Sequence, residues 1–340
     1  ACPQCGPAIW FVDGHGSGEE AVLVRANAAT GEAAVDAFRR AIANDQIVAV
    51  KGIGGFHLAC DAASSSAVAN LRRRKGRRDK PLAVMVADVA AARRLAEVDP
   101  QEARLLTSRQ RPIVLLRRRR VADLSPLIAP GNDLIGILLP YSPLHALLVE
   151  SGALVMTSGN RSEEPIARTN REAYSRLNDL ADAFLLHDRE IHVVCDDSVV
   201  RITRRQQLPI RRSRGYAPLP VRLSHSLPSC LAVGGELKTT FCVTKEEYAW
   251  MSPHLGDMGN LETLEAFRRA VDHFLCLFRI TPEVIACDTH PDYLSSQWAR
   301  DYARRNRLPL VKVQHHHAHL AGTLAEHGRN GAAEAIGICF

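Results

Sequence analysis

Apolar positions along this chain switch between two periods, and the switching divides it into a long alternating stretch and a shorter one of different order. In Glu32–Asn44 the apolar residues recur at helical spacing, and the following IVAVK (47–51) is a buried-strand run leading into the glycines of GIGG. Ser64–Lys75 reads as a helix, LAVMV (82–86) as a strand, and two short helical stretches continue to Ser108. IVLLR (113–117), LVMTSG (154–159), FLLH (184–187), VVRI (199–202) and IRRS (210–213) are further strands. Such alternation predicts one α/β domain with a sizeable twisted sheet, extending to about Leu223. The stretch 211–230, rich in proline and serine, reads as a linker.

Beyond it the grammar changes. CLAVGG (230–235), TTFCVTK (239–245) and EYAWMS (247–252) predict three consecutive strands. A long amphipathic helix, LETLEAFRRAVDHFLCLF (261–278), follows, with Leu261, Leu264, Phe267, Val271, Phe274 and Phe278 along one face. VIACD (284–288) is a strand, Ser295–Arg305 a helix, LPLVKV (308–313) a strand, His316–Glu326 a helix and AIGICF (335–340) a final strand. This βββαβαβ(α) order is similar to one half of the nucleotide-binding fold shared by actin, sugar kinases and the 70-kDa heat-shock ATPase. In that fold the nucleotide lies between two such halves, and AIGICF would open the second.

At 340 residues the chain exceeds one ordinary domain, and 46% hydrophobic with 24% charged residues is the balance of a soluble globular protein. Its apolar runs are far shorter than a membrane span, and no charged-then-apolar leader opens it, so no membrane role is expected. Nine scattered cysteines imply reduced thiols and a cytoplasmic setting. Cys2 and Cys5 form one Cys-x-x-Cys knuckle, which supplies two thiolates where a structural zinc needs four ligands. The knuckle is either part of a zinc site completed elsewhere or an unstructured tail.

Net charge is +6, and the segment 71–81 alone accounts for that excess, with seven cations against Asp79. This describes a local anion site, not a generally basic protein. In KGIGGFHLACDA (51–62), Lys51 stands at a strand end before glycines that allow close approach to a phosphate. About twenty residues on comes RRRKGRRDKP, a helix-borne run suited to a triphosphate and its leaving pyrophosphate. The bland reading is a solvated basic face attracting nucleic acid, but no aromatic residues interleave to stack bases, which counts against RNA binding. In TSGNRSEEP (157–165), hydroxyls and an amide at a strand end suit a nucleotide or an acyl group, though Ser-Gly-Asn is commonly a plain turn. Cys60 and Cys195 sit in or near apolar runs and read as core residues, not nucleophiles.

In order, the chain carries Lys-Gly-x-Gly-Gly-Phe-His-Leu, Cys-Asp-Ala, Arg-Lys-x-Arg-x-x-Lys-Pro, Tyr-Ser-Pro-x-His (141–145), Thr-Ser-Gly-Asn and Arg-Ser-Arg-Gly-Tyr (212–216). This set closely resembles the YrdC-like domain of the hydrogenase-maturation carbamoyltransferase (HypF) family. CLAVGGELKTTFCV, SPHLGDM (252–258), CDTHPDYLSS (287–296) and VQHHHAHLAG (313–322) resemble the domain after it, which is related to the tRNA threonylcarbamoyl transferases. The resemblance implies a YrdC-like twisted α/β domain followed by the N-terminal half of an actin/heat-shock-ATPase-like (ribonuclease H-like) domain. It implies the boundaries 1–15 (remnant of a zinc-binding segment holding Cys2 and Cys5), 16–223 and 224–340. An acylphosphatase-like domain would precede, and the second half of the transferase domain would follow.

For function, the resemblance implies formation of carbamoyl-adenylate from ATP, with Mg, and carbamoyl phosphate-derived carbamate. The carbamoyl group would pass to the C-terminal cysteine of HypE as a precursor of a cyanide ligand of the nickel–iron centre. Lys51, Lys75 and Arg77 would neutralise developing phosphate charge. His57, Lys80, Thr157, Ser158, Asn160, Arg212 and Arg214 would help bind the nucleotide. In the second domain Gly234, Gly235, Lys238 and Thr239 would form a phosphate-holding turn. Two other readings stay open: a threonylcarbamoyl-adenylate synthase of tRNA modification, and a basic RNA-binding module. Finally, His315 and His319 lie four apart at a strand-to-helix junction, so they share a helix face and can grip one zinc or iron ion. His316 and His317 point elsewhere and read as capping or solvated imidazoles.

Overall fold

The computed structural model describes residues 6–14, 28–120, 122–161, 164–329 and 335–339. Cys2 and Cys5 lie outside the described residues. Contacts divide the chain into two units, the first ending at Gly215 and the second running from Tyr216.

The first unit is built on eleven strands. They are β1 (Ile9–Asp13), β2 (Ala29–Thr30), β3 (Val48–Lys51), β4 (Phe56–Asp61), β5 (Ala83–Met85), β6 (Ile113–Arg117), β7 (Leu134–Leu138), β8 (Leu154–Ser158), β9 (Ala183–His187), β10 (Val199–Thr203) and β11 (Gln206–Arg211). Their order in the sheet is β11-β10-β6-β7-β5-β8-β4-β3-β9-β1-β2. The pairs β3/β9, β5/β7 and β6/β10 are parallel and the others antiparallel, so the sheet is mixed. Helix Glu32–Ala43 lays Val35, Phe38 and Ile42 over the face formed by Val48, Val50 and Leu185. Burying an aromatic of this kind contributes on the order of 2–3 kcal/mol.

Four of these strands escape the sequence reading. β1 and β2 precede the alternating stretch, β7 reads only as an apolar run, and β4 reads as part of the glycine loop. In fact Lys51 and Phe56 pair directly, so 52–55 is the tip of a β3/β4 hairpin.

The second unit holds β12 (Val221–Leu227), β13 (Cys230–Val233), β14 (Phe241–Met251), β15 (Val284–Asp288) and β16 (Leu310–Val313), ordered β12-β14-β13-β15-β16. Two expectations are corrected here. The stretch 211–230 contains the strand β12, which pairs antiparallel with β14. TTFCVTK and EYAWMS form one continuous strand that does not turn back, with φ 55 at Glu246 beside the point where its pairing with β12 shifts register. A third correction concerns AIGICF: residues 335–339 form no strand.

Helix Leu261–Phe278 starts at Asn260, whose side chain accepts from the Thr263 amide, and packs Phe267, Val271 and Phe274 against Phe241 and Ile285. Leu261, expected on that face, is the first residue of the helix and is 63% exposed. Among the described residues no helix is long and apolar enough to cross a membrane.

Candidate functional site

Helix Ser65–Lys75 positions the cations of the basic run. Ser64 caps it by accepting from the Ala67 amide, and Gly76 ends it in the left-handed conformation. Seven cations in sequence therefore do not make one solvated face. Arg72 is buried, and its guanidinium donates to the carbonyls of Arg77, Arg78, Lys80, Leu127 and Ile128, which folds the segment after the helix into a fixed shape. Arg74 pairs with Asp182 at 2.8 Å. Arg73, Arg78 and Lys80 are exposed.

Lys75 and Arg77 turn toward the tip of β8. Lys75 Nζ donates to the Ser158 carbonyl, to the Asn160 carbonyl at 2.7 Å and to Asn160 Oδ1 at 2.8 Å. Arg77 donates to Thr157 Oγ1 at 3.3 Å and to the Pro81 carbonyl at 2.5 Å. Ser158 Oγ donates to Asn160 Oδ1 at 2.7 Å. The turn is held by Gly159, whose amide donates to the Phe56 carbonyl at 2.6 Å. A Cβ at this position would stand 2.8 Å from that carbonyl, so only glycine fits. Burial and the neighbouring Arg77 charge push the Lys75 ammonium down to about 7, and burial with Arg72 pushes Arg77 down to about 10. Two desolvated cations over a strand tip of hydroxyls and an amide have the chemistry to attract an anion.

One strand over, His57 on β4 pairs across the ladder with Ser158. Its Nε2 donates to Asp197 Oδ2 at 3.2 Å. Asp197 also receives Arg214 Nε at 3.0 Å and a second Arg214 nitrogen at 2.8 Å on Oδ1. Burial opposes its ionisation, but the His57 and Arg214 donors prevail and hold this carboxyl well below the usual range. Arg214 also donates to the carbonyls of Gln110 and Arg111 and lies 3.5 Å over the Tyr141 ring. Its fork thus rests on Asp197, backbone and ring. Arg212 is half-buried on the same segment.

The structure places Lys51 apart from the β8 cluster. Its Nζ donates to the His187 carbonyl at 3.0 Å, on the β9 side of β3, about 10 Å (two strand spacings) from β8. Burial lowers its ammonium, against the nearby Asp188 and Glu190. Cys60 and Cys195 have thiols raised by burial, in keeping with core roles. Asp197, His145 and His187 went unassigned in the sequence, for a lone Asp within CDDS and two isolated histidines give no spacing signal.

In the second unit three carboxyl ends of adjacent parallel strands meet: Gly234 after β13, Asp288 on β15 and His315 after β16. His315 Nδ1 lies 2.7 Å from Asp288 Oδ2, and His315 Nε2 and His319 Nε2 face each other at 3.1 Å. The backbone amide of His290 and the His315 ring hold Asp288 ionised against its burial. Two converging imidazole nitrogens, one backed by a carboxylate, suit a metal ion with a fixed tautomer. Among the described residues no group of three ligands forms. His316 and His317 stay exposed, and Gln314 caps the helix by accepting from the His317 amide.

Thr239 is buried with its hydroxyl donating to the Gly235 and Glu236 carbonyls, which closes the turn, and Lys238 is exposed with its amide on Asp257. The turn is therefore built, and of its side chains only Lys238 reaches solvent as a cation.

A family model described as Telomere recombination (Sua5, YciO and YrdC) matches residues 40–213, and one described as HypF Kae1-like domain matches residues 225–326. Carbamoyltransferase HypF2 of Cupriavidus necator is 48% identical over 316 residues, covering 87% of this chain and 39% of the relative. A crystal structure of full-length HypF in the phosphate- and nucleotide-bound form superposes with TM-score 0.87 at 44% identity, over 96% of this chain and 41% of that one. Sua5 of P. abyssi complexed with L-threonine shares the fold alone, with TM-score 0.51 at 15% identity over 84% of this chain and 97% of that one. The chain spans about two fifths of the length of the HypF proteins it matches.

Proposed function

Because the chain belongs to the Sua5–YciO–YrdC family and joins that domain to a HypF Kae1-like domain, we propose that it serves carbamoyl transfer in nickel–iron hydrogenase maturation. The first unit binds ATP, with Mg, and makes carbamoyl-adenylate. A carbamate oxygen attacks the α-phosphorus and the new O–P bond replaces the one to pyrophosphate, which leaves with the electron pair. Lys75 and Arg77 meet the charge that grows on the phosphates, and Thr157, Ser158 and Asn160 orient them. No side-chain nucleophile is needed, since positioning and electrostatics suffice. In the second unit the carbamoyl carbon passes to a thiolate, the C-terminal cysteine of HypE, with AMP leaving.

The observation that carries this reading is the convergence of buried Lys75 and half-buried Arg77 on the Thr157–Asn160 tip. The His315/His319 pair, backed by Asp288, is where zinc or iron would bind and polarise a phosphate or carbonyl oxygen; Cys2 and Cys5 would hold a structural zinc. The expected setting is the cytoplasm.

ATP–pyrophosphate exchange tests the reading. Exchange supported by carbamate or carbamoyl phosphate is expected. Exchange supported solely by threonine plus bicarbonate would instead make the chain a threonylcarbamoyl-adenylate synthase, and tight salt-sensitive RNA binding without ATP chemistry would make it an RNA-binding module.

A further inference from the structure

The Tyr-Ser-Pro-x-His stretch and Asp197 have no part in the phosphate reading above, yet they build an enclosed polar cluster in the first unit. Asp197 draws on His57 Nε2 and Arg214, and the Tyr141 hydroxyl lies 3.3 Å from His57 Nε2. Because Nε2 donates to the ionised carboxylate, Nδ1 is the ring nitrogen left over. That atom is buried and has no hydrogen-bond partner. His145, fully buried against Tyr141 with ring centroids 4.4 Å apart, likewise leaves both nitrogens without one. Buried polar atoms are nearly always satisfied, so imidazole nitrogens left over in one cluster point to a ligand.

Size and position narrow the ligand. The β3/β4 hairpin tip closes over the His57 ring: a Cβ at Gly52 would stand 3.1 Å from His57 Nδ1 and Cε1. A group that reaches this nitrogen under the hairpin must be small, which excludes a base or a ribose. His57 is also the direct cross-strand partner of Ser158, whose carbonyl holds Lys75, so its backbone stands about 5 Å from the strand tip that Lys75 and Arg77 reach. That offset suits an attacking group beside an α-phosphate.

We infer that the corner formed by His57, Tyr141 and the Gly52 turn is the subsite for carbamate, distinct from the triphosphate site at Lys75 and Arg77, so that His57, expected from its motif to bind the nucleotide, serves the acyl group instead. The inference rests on the adenylate-forming reading above. A carbamate carries N–H donors beside its carboxylate, and with the Nε2 proton on Asp197 the His57 Nδ1 lone pair can accept from the carbamate N–H. Asp197 fixes the ring, and Arg214 fixes Asp197, as positioning residues. Burial holds His145 neutral, pushed down to about 3, so this neighbour offers no acidic proton to a species that breaks down when its nitrogen is protonated. The two phosphate cations act on ATP and leave the acyl group to His57.

The test separates the two substrates in the intact chain. ATP affinity is measured directly with nucleotide alone, and ATP–pyrophosphate exchange is followed with ammonium carbamate as the varied substrate. His57→Gln is expected to raise the carbamate KM about tenfold or more while the ATP Kd stays within about twofold. Asp197→Asn, which frees the ring without removing it, is expected to move the same KM in the same direction by less. Retained ATP binding shows that each variant is folded. Equal losses of ATP affinity and carbamate KM, or no change in either, would overturn the inference. A wild-type chain that exchanges well with carbamoyl donors, with His57→Gln unchanged, would sink the subsite but spare the adenylation reading; a wild-type chain without any exchange would sink both.

Discussion

At the tip of β8, Lys75 is 4% exposed and held on the oxygens of Ser158 and Asn160; beyond β15 and β16, His315 and His319 are exposed imidazoles that face each other across 3.1 Å. The contrast lies in what each corner already has. The first is preorganised: Arg72 shapes the segment, Gly159 shapes the turn, and the cations are desolvated before any ligand arrives, which strengthens their attraction for phosphate. The second has orientation from Asp288 but remains in solvent, where two nitrogens hold a metal weakly. Burial, more than the count of charged residues, marks the stronger site.

Five substitutions and one titration probe that contrast. Lys75→Met should reduce carbamate-dependent exchange by about 10²–10³-fold, as removal of a preorganised charge does elsewhere; a loss under threefold in steady-state kinetics would show that the β8 tip is not the phosphate site. Asp288→Asn should weaken zinc binding about tenfold in equilibrium dialysis, while His319→Ala removes it; zinc affinity indifferent to both would move the metal elsewhere.

The Lys75 ammonium, lowered to about 7, gives a pH test with a definite sign. An anionic ligand raises that value again, so ATP binding near pH 7 should take up about half a proton, and affinity should fall as pH rises through 7. Calorimetry in buffers of different ionisation enthalpy measures the uptake, and proton release would contradict it. The smallest effect belongs to Leu261→Ala, expected to change stability by under about 0.5 kcal/mol because that side chain is exposed. Phe267→Ala on the same helix serves as its reference, at about 3–5 kcal/mol in denaturant unfolding.

Much of the architecture was legible where the apolar period was long. The helix Leu261–Phe278 and the strand Ile113–Arg117 match their sequence readings at both ends, because each buries one continuous face. β12 was hidden because its run VRLSHSL alternates with polar residues that stay exposed, and proline and serine around it imitate a linker. β4 was hidden by glycines that read as a loop and proved to be a hairpin tip. For the site, Lys75, Arg77, Thr157, Ser158 and Asn160 come together as their motifs suggested. Lys51 and Arg214 do not join them, since a motif records which residues are present and not which neighbour each side chain finds. The His57–Asp197 contact joins residues 140 apart, and no local pattern could announce it.

The central claim is that the β8 tip activates carbamate as an adenylate. The most direct measurement is mass spectrometry of the nucleotide product formed by the chain from ATP, ammonium and ¹³C-bicarbonate. A ¹³C-labelled carbamoyl-AMP made by the wild-type chain and absent with Lys75→Met is the predicted result. Labelled adenylate that persists undiminished in Lys75→Met, or no labelled adenylate from a wild-type chain that binds ATP, would contradict it.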